Sequence, residues 1–124
     1  MRLPGLWRLP LGKVPEVSVD ELHRWLELGH PVQLLDARTR LEYRGGTIGA
    51  ADYAPLSETP VVLQRLDLDP SQPVVMLCLS GHRSRPGTRW LRLQGFKAFS
   101  LQGGITAWKR AGLPLSSPNS KAGD

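Results

Sequence analysis

The feature that most restricts the fold is a short apolar run, Pro73-Val74-Val75-Met76-Leu77-Cys78, set between turn-forming residues. A run this brief and this uniformly apolar predicts a strand covered on both faces, the usual state of a strand inside a parallel sheet. Directly after it, Leu79-Ser80-Gly81-His82-Arg83 leads into a segment from Ser84 to Gln94 that reads as a helix ending at Gly95. Strand, tight loop and helix in succession predict an α/β unit in which this strand is central.

The rest of the chain repeats the alternation. Ser18-Val19-Asp20-Glu21 has the form of a capping box, Val19, Leu22, Trp25 and Leu26 share one helical face, and Gly29 is placed as a stop, so a first helix is expected over 19–28. Val32 to Leu35 predicts a buried strand ending at Asp36. Thr39-Arg40-Leu41-Glu42 then forms a second capping-box pattern, opening a short helix that stops at Gly45-Gly46. Ala51 to Pro55 predicts a short edge strand, and Thr59-Pro60 suits the cap and first position of a helix through Leu66. Lys97 to Leu101 predicts a strand and Ile105 to Ala111 a last helix before Gly112.

The order predicts an α/β fold: a mostly parallel sheet of about five strands with helices on both faces. At 124 residues the chain fits one domain, expected over 16–115, with a Pro-punctuated arm at 1–15 and a flexible polar tail at 116–124.

With one cysteine the chain can form no internal disulfide, and it lacks a secretion-type leader pattern, so the cytoplasm is the expected compartment. No apolar run approaches the roughly 20 residues that cross a bilayer, so no membrane partner is expected. The net charge of +5 comes from basic residues spread from Arg2 to Lys121, and the four tryptophans do not interleave with a basic stripe. That distribution argues against nucleic acid and for a surface that attracts small anions. Trp25, Trp90 and Trp108 read as core residues on helix faces, and Trp7 as a cover for the domain's edge. His23 and His30 lack the clustered spacing of metal ligands, so neither a metal nor another cofactor is expected.

In a parallel sheet, ligands gather beyond the carboxyl ends of the strands, where Cys78 stands. Gly81 permits a tight path through Leu79 to Arg83 on which successive backbone N–H groups converge on one point, the Cys78 sulfur. Such amides, with the positive end of the following helix and the cation of Arg83, favour the thiolate, which is the nucleophilic form of the thiol. The same cradle suits a persulfide, whose outer sulfur is also negative.

Several motifs in order carry a resemblance. Cys78-Leu79-Ser80-Gly81-His82-Arg83-Ser84 continues through Leu91, Gly95-Phe96 and Leu101-Gln102-Gly103-Gly104-Ile105-Thr106-Ala107-Trp108 to Ala111-Gly112-Leu113-Pro114. Upstream stand Leu34-Leu35-Asp36-Ala37-Arg38 with Glu42-Tyr43, Gly49-Ala50 and Pro55-Leu56. From about Val17 to Leu115 the chain resembles a single-domain rhodanese, a thiosulfate sulfurtransferase.

The resemblance implies double displacement. Thiosulfate or a persulfide gives its outer sulfur to Cys78, and cyanide or a thiol, free or borne by a protein, removes it. The amides of Leu79, Ser80, Gly81, His82, Arg83 and Ser84 then line the substrate pocket, and Arg83 meets the donor's sulfonate oxygens. Four residues separate Cys78 from Arg83, as in sulfur-transferring members, whereas related phosphatases and arsenate reductases have one more. Two departures stand out: Gly46-Thr47-Ile48-Gly49-Ala50 lacks a usual histidine and one residue, and Pro86-Gly87-Thr88 replaces small helix formers.

Simpler readings compete at several positions. Arg83 can brace the loop through neighbouring carbonyls, and His82 can face solvent. Asp36, Arg38 and Glu42 fit a structural ion pair or helix cap better than catalysis. Two other functions stay open beside the enzyme: a non-enzymatic sulfur carrier or interaction domain serving one protein partner, and, less favoured, a phosphatase or arsenate reductase.

Overall fold

A computed structural model describes residues 14–118, so Trp7 and most of the expected arm and tail lie outside the described residues. Five parallel strands form one sheet. They are β1 (Glu16–Val17), β2 (Gln33–Asp36), β3 (Asp52–Tyr53), β4 (Val74–Leu77) and β5 (Ala98–Leu101), in the spatial order β1-β5-β4-β2-β3. The expected central strand is central, and β3 is an edge. β1 was not anticipated. Two residues carry no periodicity, and Glu16-Val17 becomes a strand only through its pairing with Ser100 and Leu101.

The α-helices are α1 (Val19–Glu27), α2 (Arg40–Arg44), α3 (Thr59–Leu66), α4 (Arg85–Leu93) and α5 (Gly104–Arg110). Strand alternation sends side chains of β4 to opposite faces. Val75 and Leu77 pack with Leu22, Leu34, Leu101, Ile105 and Trp108, placing α1 and α5 on one side of the sheet. Val74 and Met76 pack with Leu35, Val62, Leu91 and Ala98, placing α3 and α4 on the other. All four residues of β4 are fully buried, and each large aliphatic side chain so buried contributes about 1.5–3 kcal/mol. Trp25 and Trp90 pack partly buried against these two clusters, and Trp108 is buried.

Capping follows the sequence with two differences. At α2 the box is complete, because Thr39 Oγ1 accepts from the Glu42 amide and the Glu42 carboxylate accepts from the Thr39 amide. At α1, Ser18 Oγ accepts from the Glu21 amide, which is one half of the box. At α3, Thr59 and Pro60 are already helical, and the cap is Glu58, at the end of a 3-10 turn over Leu56–Glu58. Proline in the first turn loses nothing there, since that amide has no helical partner anyway.

The ordered chain reaches past the expected domain end. Ser116 pairs antiparallel with Thr47, and its hydroxyl accepts from the Ala50 amide. Composition gives no hint of this, because the pairing is made by backbone. Among the described residues, no helix is long and apolar enough to cross a membrane.

Candidate active site

Strand β4 delivers Cys78 to the carboxyl end of the sheet, and the chain turns at once into the loop Leu79–Ser84. Two glycines allow this turn. Gly81 has φ +93°, and a Cβ there would lie 3.1–3.2 Å from Gly103 N and Leu101 O. Gly104, at φ +62°, sits so close beneath the loop that a Cβ would come 2.5 Å from the carbonyl oxygens of both Cys78 and Leu79. That approach serves two backbone hydrogen bonds: Ile105 N donates to Cys78 O at 2.8 Å and Thr106 N to Leu79 O at 2.9 Å. Those two bonds draw the carbonyls of Cys78 and Leu79 down onto the first turn of α5.

The sulfur itself is held from two sides. The Gly81 N–H lies 3.0 Å from Cys78 Sγ, and Sγ lies 3.5 Å from Ser84 Oγ. The expected ring of successive amides is thus narrower than anticipated: among the described residues, Gly81 supplies the backbone donor on Sγ, and a hydroxyl stands opposite. Cys78 has no exposed surface, although Leu79, Ser80, His82 and Arg83 around it are exposed. The thiol is therefore buried, with polar partners in Gly81 and Ser84.

Ser84 belongs to a buried polar group that the sequence did not disclose. Its Oγ donates to Ser100 Oγ at 3.1 Å, Ser100 Oγ lies 2.8 Å from Thr88 Oγ1, and Thr88 Oγ1 donates to the Ser84 carbonyl at 2.9 Å. Thr88 follows from Ser84 by one helical turn. Ser100 comes from β5, whose register sets it beside Met76 of β4.

Arg83 pairs with a carboxylate of the protein. Its Nη1 and Nη2 donate to Oε1 and Oε2 of Glu42 at 3.1 and 3.0 Å, the bidentate geometry that guanidinium and carboxylate favour. The Arg83 hydrogen bond holds the Glu42 carboxyl at about 2, against the opposing effect of burial and with further help from Thr39. Arg83 is correspondingly pushed up, first by that bond, with the charges of Glu42, Cys78 and Asp36 adding to it and burial acting against it. The guanidinium thus braces the loop against α2 while keeping its charge within reach of the sulfur. His82 is exposed, with Nδ1 3.1 Å from Ser80 Oγ.

Asp36 and Arg38 form a second, buried layer at the end of β2. Arg38 Nε and Nη2 reach both Asp36 oxygens at 2.8–3.2 Å, the Arg38 amide donates to Oδ1, and Thr47 Oγ1 donates to Oδ2 at 2.8 Å. Arg38 Nη2 also donates to the Gly46 carbonyl at 2.6 Å. Every strong acceptor site is used, which is the condition for keeping an ion pair out of water. Thr47, which stands in the connection that departs from the usual pattern, thereby ties that connection to β2. The structure brings Asp36, Arg38 and Glu42 to the same end of the sheet as Cys78 but none of them into contact with Sγ among the described residues. No cluster of three or more metal-binding side chains occurs among those residues either.

Comparison with known proteins agrees with this geometry. A family model for the rhodanese-like domain matches residues 18–111. A sulfurtransferase of Allochromatium vinosum is 35% identical over 106 residues, covering 85% of this chain and 97% of that protein. A rhodanese-like domain protein of Staphylococcus aureus superposes with a TM-score of 0.72 at 30% identity, over 84% of this chain and all of the other. A thiosulfate sulfurtransferase of Pseudomonas aeruginosa gives a TM-score of 0.76 at 27% identity, over 87% of this chain and 20% of that longer one. The buried central strand, the six-residue cysteine loop and these matches together make the chain a member of the rhodanese-like domain family.

Proposed function

We propose that the protein transfers sulfane sulfur by double displacement through Cys78. The thiolate attacks the outer sulfur of thiosulfate or of a persulfide, forming the Sγ–S bond as sulfite or a thiolate leaves. Cyanide or a thiol then attacks that outer sulfur, and the electron pair of the breaking bond returns to Sγ. The observation that carries this reading is the Gly81 amide 3.0 Å from Sγ, on a loop whose carbonyls are pinned away from the sulfur by the start of α5. A fixed donor at a sulfur that alternates between thiolate and persulfide stabilises charge without reorganising. Arg83 supplies a permanent positive charge near by, and its bond to Glu42 supports a role in holding the loop rather than in gripping the donor.

Sulfur transfer is also the activity for which the Allochromatium relative is named. Intact-protein mass spectrometry after thiosulfate treatment tests the proposal. A gain of about one sulfur atom, removed by cyanide or a thiol and lost in Cys78→Ala, is what double displacement requires; an unchanged mass with either donor class refutes it. The complete burial of Cys78 favours one second reading, a carrier that releases its sulfur only to a protein able to open the loop. Stable loading without turnover on cyanide or small thiols distinguishes it.

A further inference from the structure

The inference concerns the three hydroxyls behind Cys78 and rests on the persulfide proposed above. Ser84, Thr88 and Ser100 are all fully buried, so they have no bulk water to fall back on and must satisfy one another. Thr88 Oγ1 donates to the Ser84 carbonyl, which leaves its oxygen to accept from Ser100. The Ser100 oxygen in turn accepts from Ser84. The protons therefore run away from the sulfur, and the Ser84 oxygen is left to accept the Cys78 S–H.

A hydroxyl has one proton, so Ser84 cannot donate to Ser100 and to Sγ together. Rotation about its Cβ–Oγ bond exchanges the two partners. When Sγ is a thiolate, donation to it is a charge-assisted bond and outweighs the neutral bond to Ser100. When Cys78 carries a persulfide, the negative charge sits on the outer sulfur, Sγ is neutral, and the bond to Ser100 is the better one.

We propose that Ser84 is a catalytic residue of the discharge step, its hydroxyl turning from Ser100 to Sγ as the thiolate leaves, and that Ser100, itself bonded to Thr88, competes with Sγ for the Ser84 proton. With cyanide as acceptor, a carbon–sulfur bond forms, the Sγ–S bond breaks with its electron pair going to Sγ, and cyanide plus persulfide become thiocyanate plus thiolate with no change in total charge. The Ser84 bond is strong only once that charge has arrived at Sγ. An interaction that strengthens along the step accelerates it, whereas one present equally throughout does not.

Ser84 and its partner Ser100 then predict opposite effects. Ser84→Ala takes away the donor and slows discharge about tenfold, the effect of one charge-assisted hydrogen bond, while the persulfide still forms in excess donor. Ser100→Ala removes the partner that competes with Sγ for the Ser84 proton, and discharge quickens. The experiment loads wild type and both variants with excess thiosulfate, confirms the added sulfur by intact mass, removes the donor, and follows thiocyanate formation in a single turnover with cyanide.

Slower discharge in Ser84→Ala together with faster discharge in Ser100→Ala supports the switch. Wild-type discharge in Ser84→Ala overturns it, and so does a Ser100→Ala that is slowed, since loss of packing alone slows both. Should Ser84→Ala not fold, the sign of the Ser100→Ala effect decides. A wild type that takes up no sulfur refutes the transfer reaction itself; a wild type that loads and discharges beside an unimpaired Ser84→Ala refutes only the switch.

Discussion

Gly104→Ala is the substitution expected to separate the loop's shape from the fold's stability. Gly104 has φ +62°, so alanine there carries the left-handed penalty of about 1–2 kcal/mol. Its Cβ also lands 2.5 Å from the Cys78 and Leu79 carbonyl oxygens, and backbone atoms cannot swing aside as a flexible side chain does. The loop must retreat by about half an ångström, at an overpacking cost of about 1–3 kcal/mol. Gly112 provides the matched control, because it has φ +79° and nothing within 4 Å of a built Cβ. Gly112→Ala therefore bears the conformational penalty alone.

At about 4 °C per kcal/mol for a domain of this size, Gly112→Ala should lower the melting temperature by about 4–8 °C and Gly104→Ala by about 8–20 °C. Activity should divide the two more sharply. Retreat of the loop breaks the Ile105 and Thr106 bonds to its carbonyls and moves the Gly81 amide off Sγ. A displacement of about 1 Å at a reacting centre costs on the order of a hundredfold, so about half that movement should cost at least tenfold in sulfur transfer. Thermal melts by circular dichroism and a thiosulfate-to-cyanide assay well below both transitions measure the two effects. A Gly104→Ala protein that melts with Gly112→Ala and transfers sulfur at the wild-type rate would refute the claim that the start of α5 shapes the loop.

Three further substitutions follow from the ion pairs. Glu42 has its folded pKa depressed to about 2, so the stability it adds is complete above the ordinary carboxylate range and is lost as pH falls from about 4.5 towards 2. Solvent reaches both partners, Arg83 at 41% and Glu42 at 29% exposure, which limits the contribution to about 1 kcal/mol; urea midpoints of wild type and Glu42→Gln should converge by that amount across this window, and parallel profiles would contradict it. Asp36→Ala leaves the Arg38 guanidinium buried without its counter-charge and should cost about 3–5 kcal/mol; a loss under 1 kcal/mol by urea unfolding would mean that water replaces the carboxylate. Thr47→Val removes one hydroxyl donor from Asp36 and should cost about 1–2 kcal/mol, measured in the same way, with an unchanged midpoint as the contrary result.

Much of this was legible because the residues involved lie close together in the sequence. Val74 to Leu77 reads as a strand inside a parallel sheet, since only burial on both faces tolerates four consecutive apolar side chains. Cys78 reads as the end of that strand because Gly81 lets the chain turn three residues on. Thr39 and Glu42 read as a cap because both partners lie within one helical turn. Asp36 and Arg38 read as an ion pair for the same reason, two residues apart at a strand end.

What escaped reading depends on contacts between distant parts of the chain. Glu42 and Arg83 lie forty-one positions apart, and nothing local in either segment reveals that one holds the other; Arg83 beside a reactive cysteine suggests an anion in solution as readily as a carboxylate on α2. Ser100 alternates with Phe99 and Leu101 in an ordinary short strand, and Thr88 occupies an ordinary helix, yet the register of β5 against β4 sets their hydroxyls behind the sulfur. A polar side chain on the inward face of a strand was the available signal. At Ser100 it is a small residue between two apolar ones, which edge strands and loops also show, so the pattern alone could not separate a buried hydrogen-bond chain from a solvated surface. The energetic distinction is large, because a fully buried hydroxyl must find partners and these three find each other and Cys78. Substitution of the buried hydroxyls close to Sγ in space but far from it in sequence, more than that of the exposed His82, should therefore alter the course of sulfur transfer.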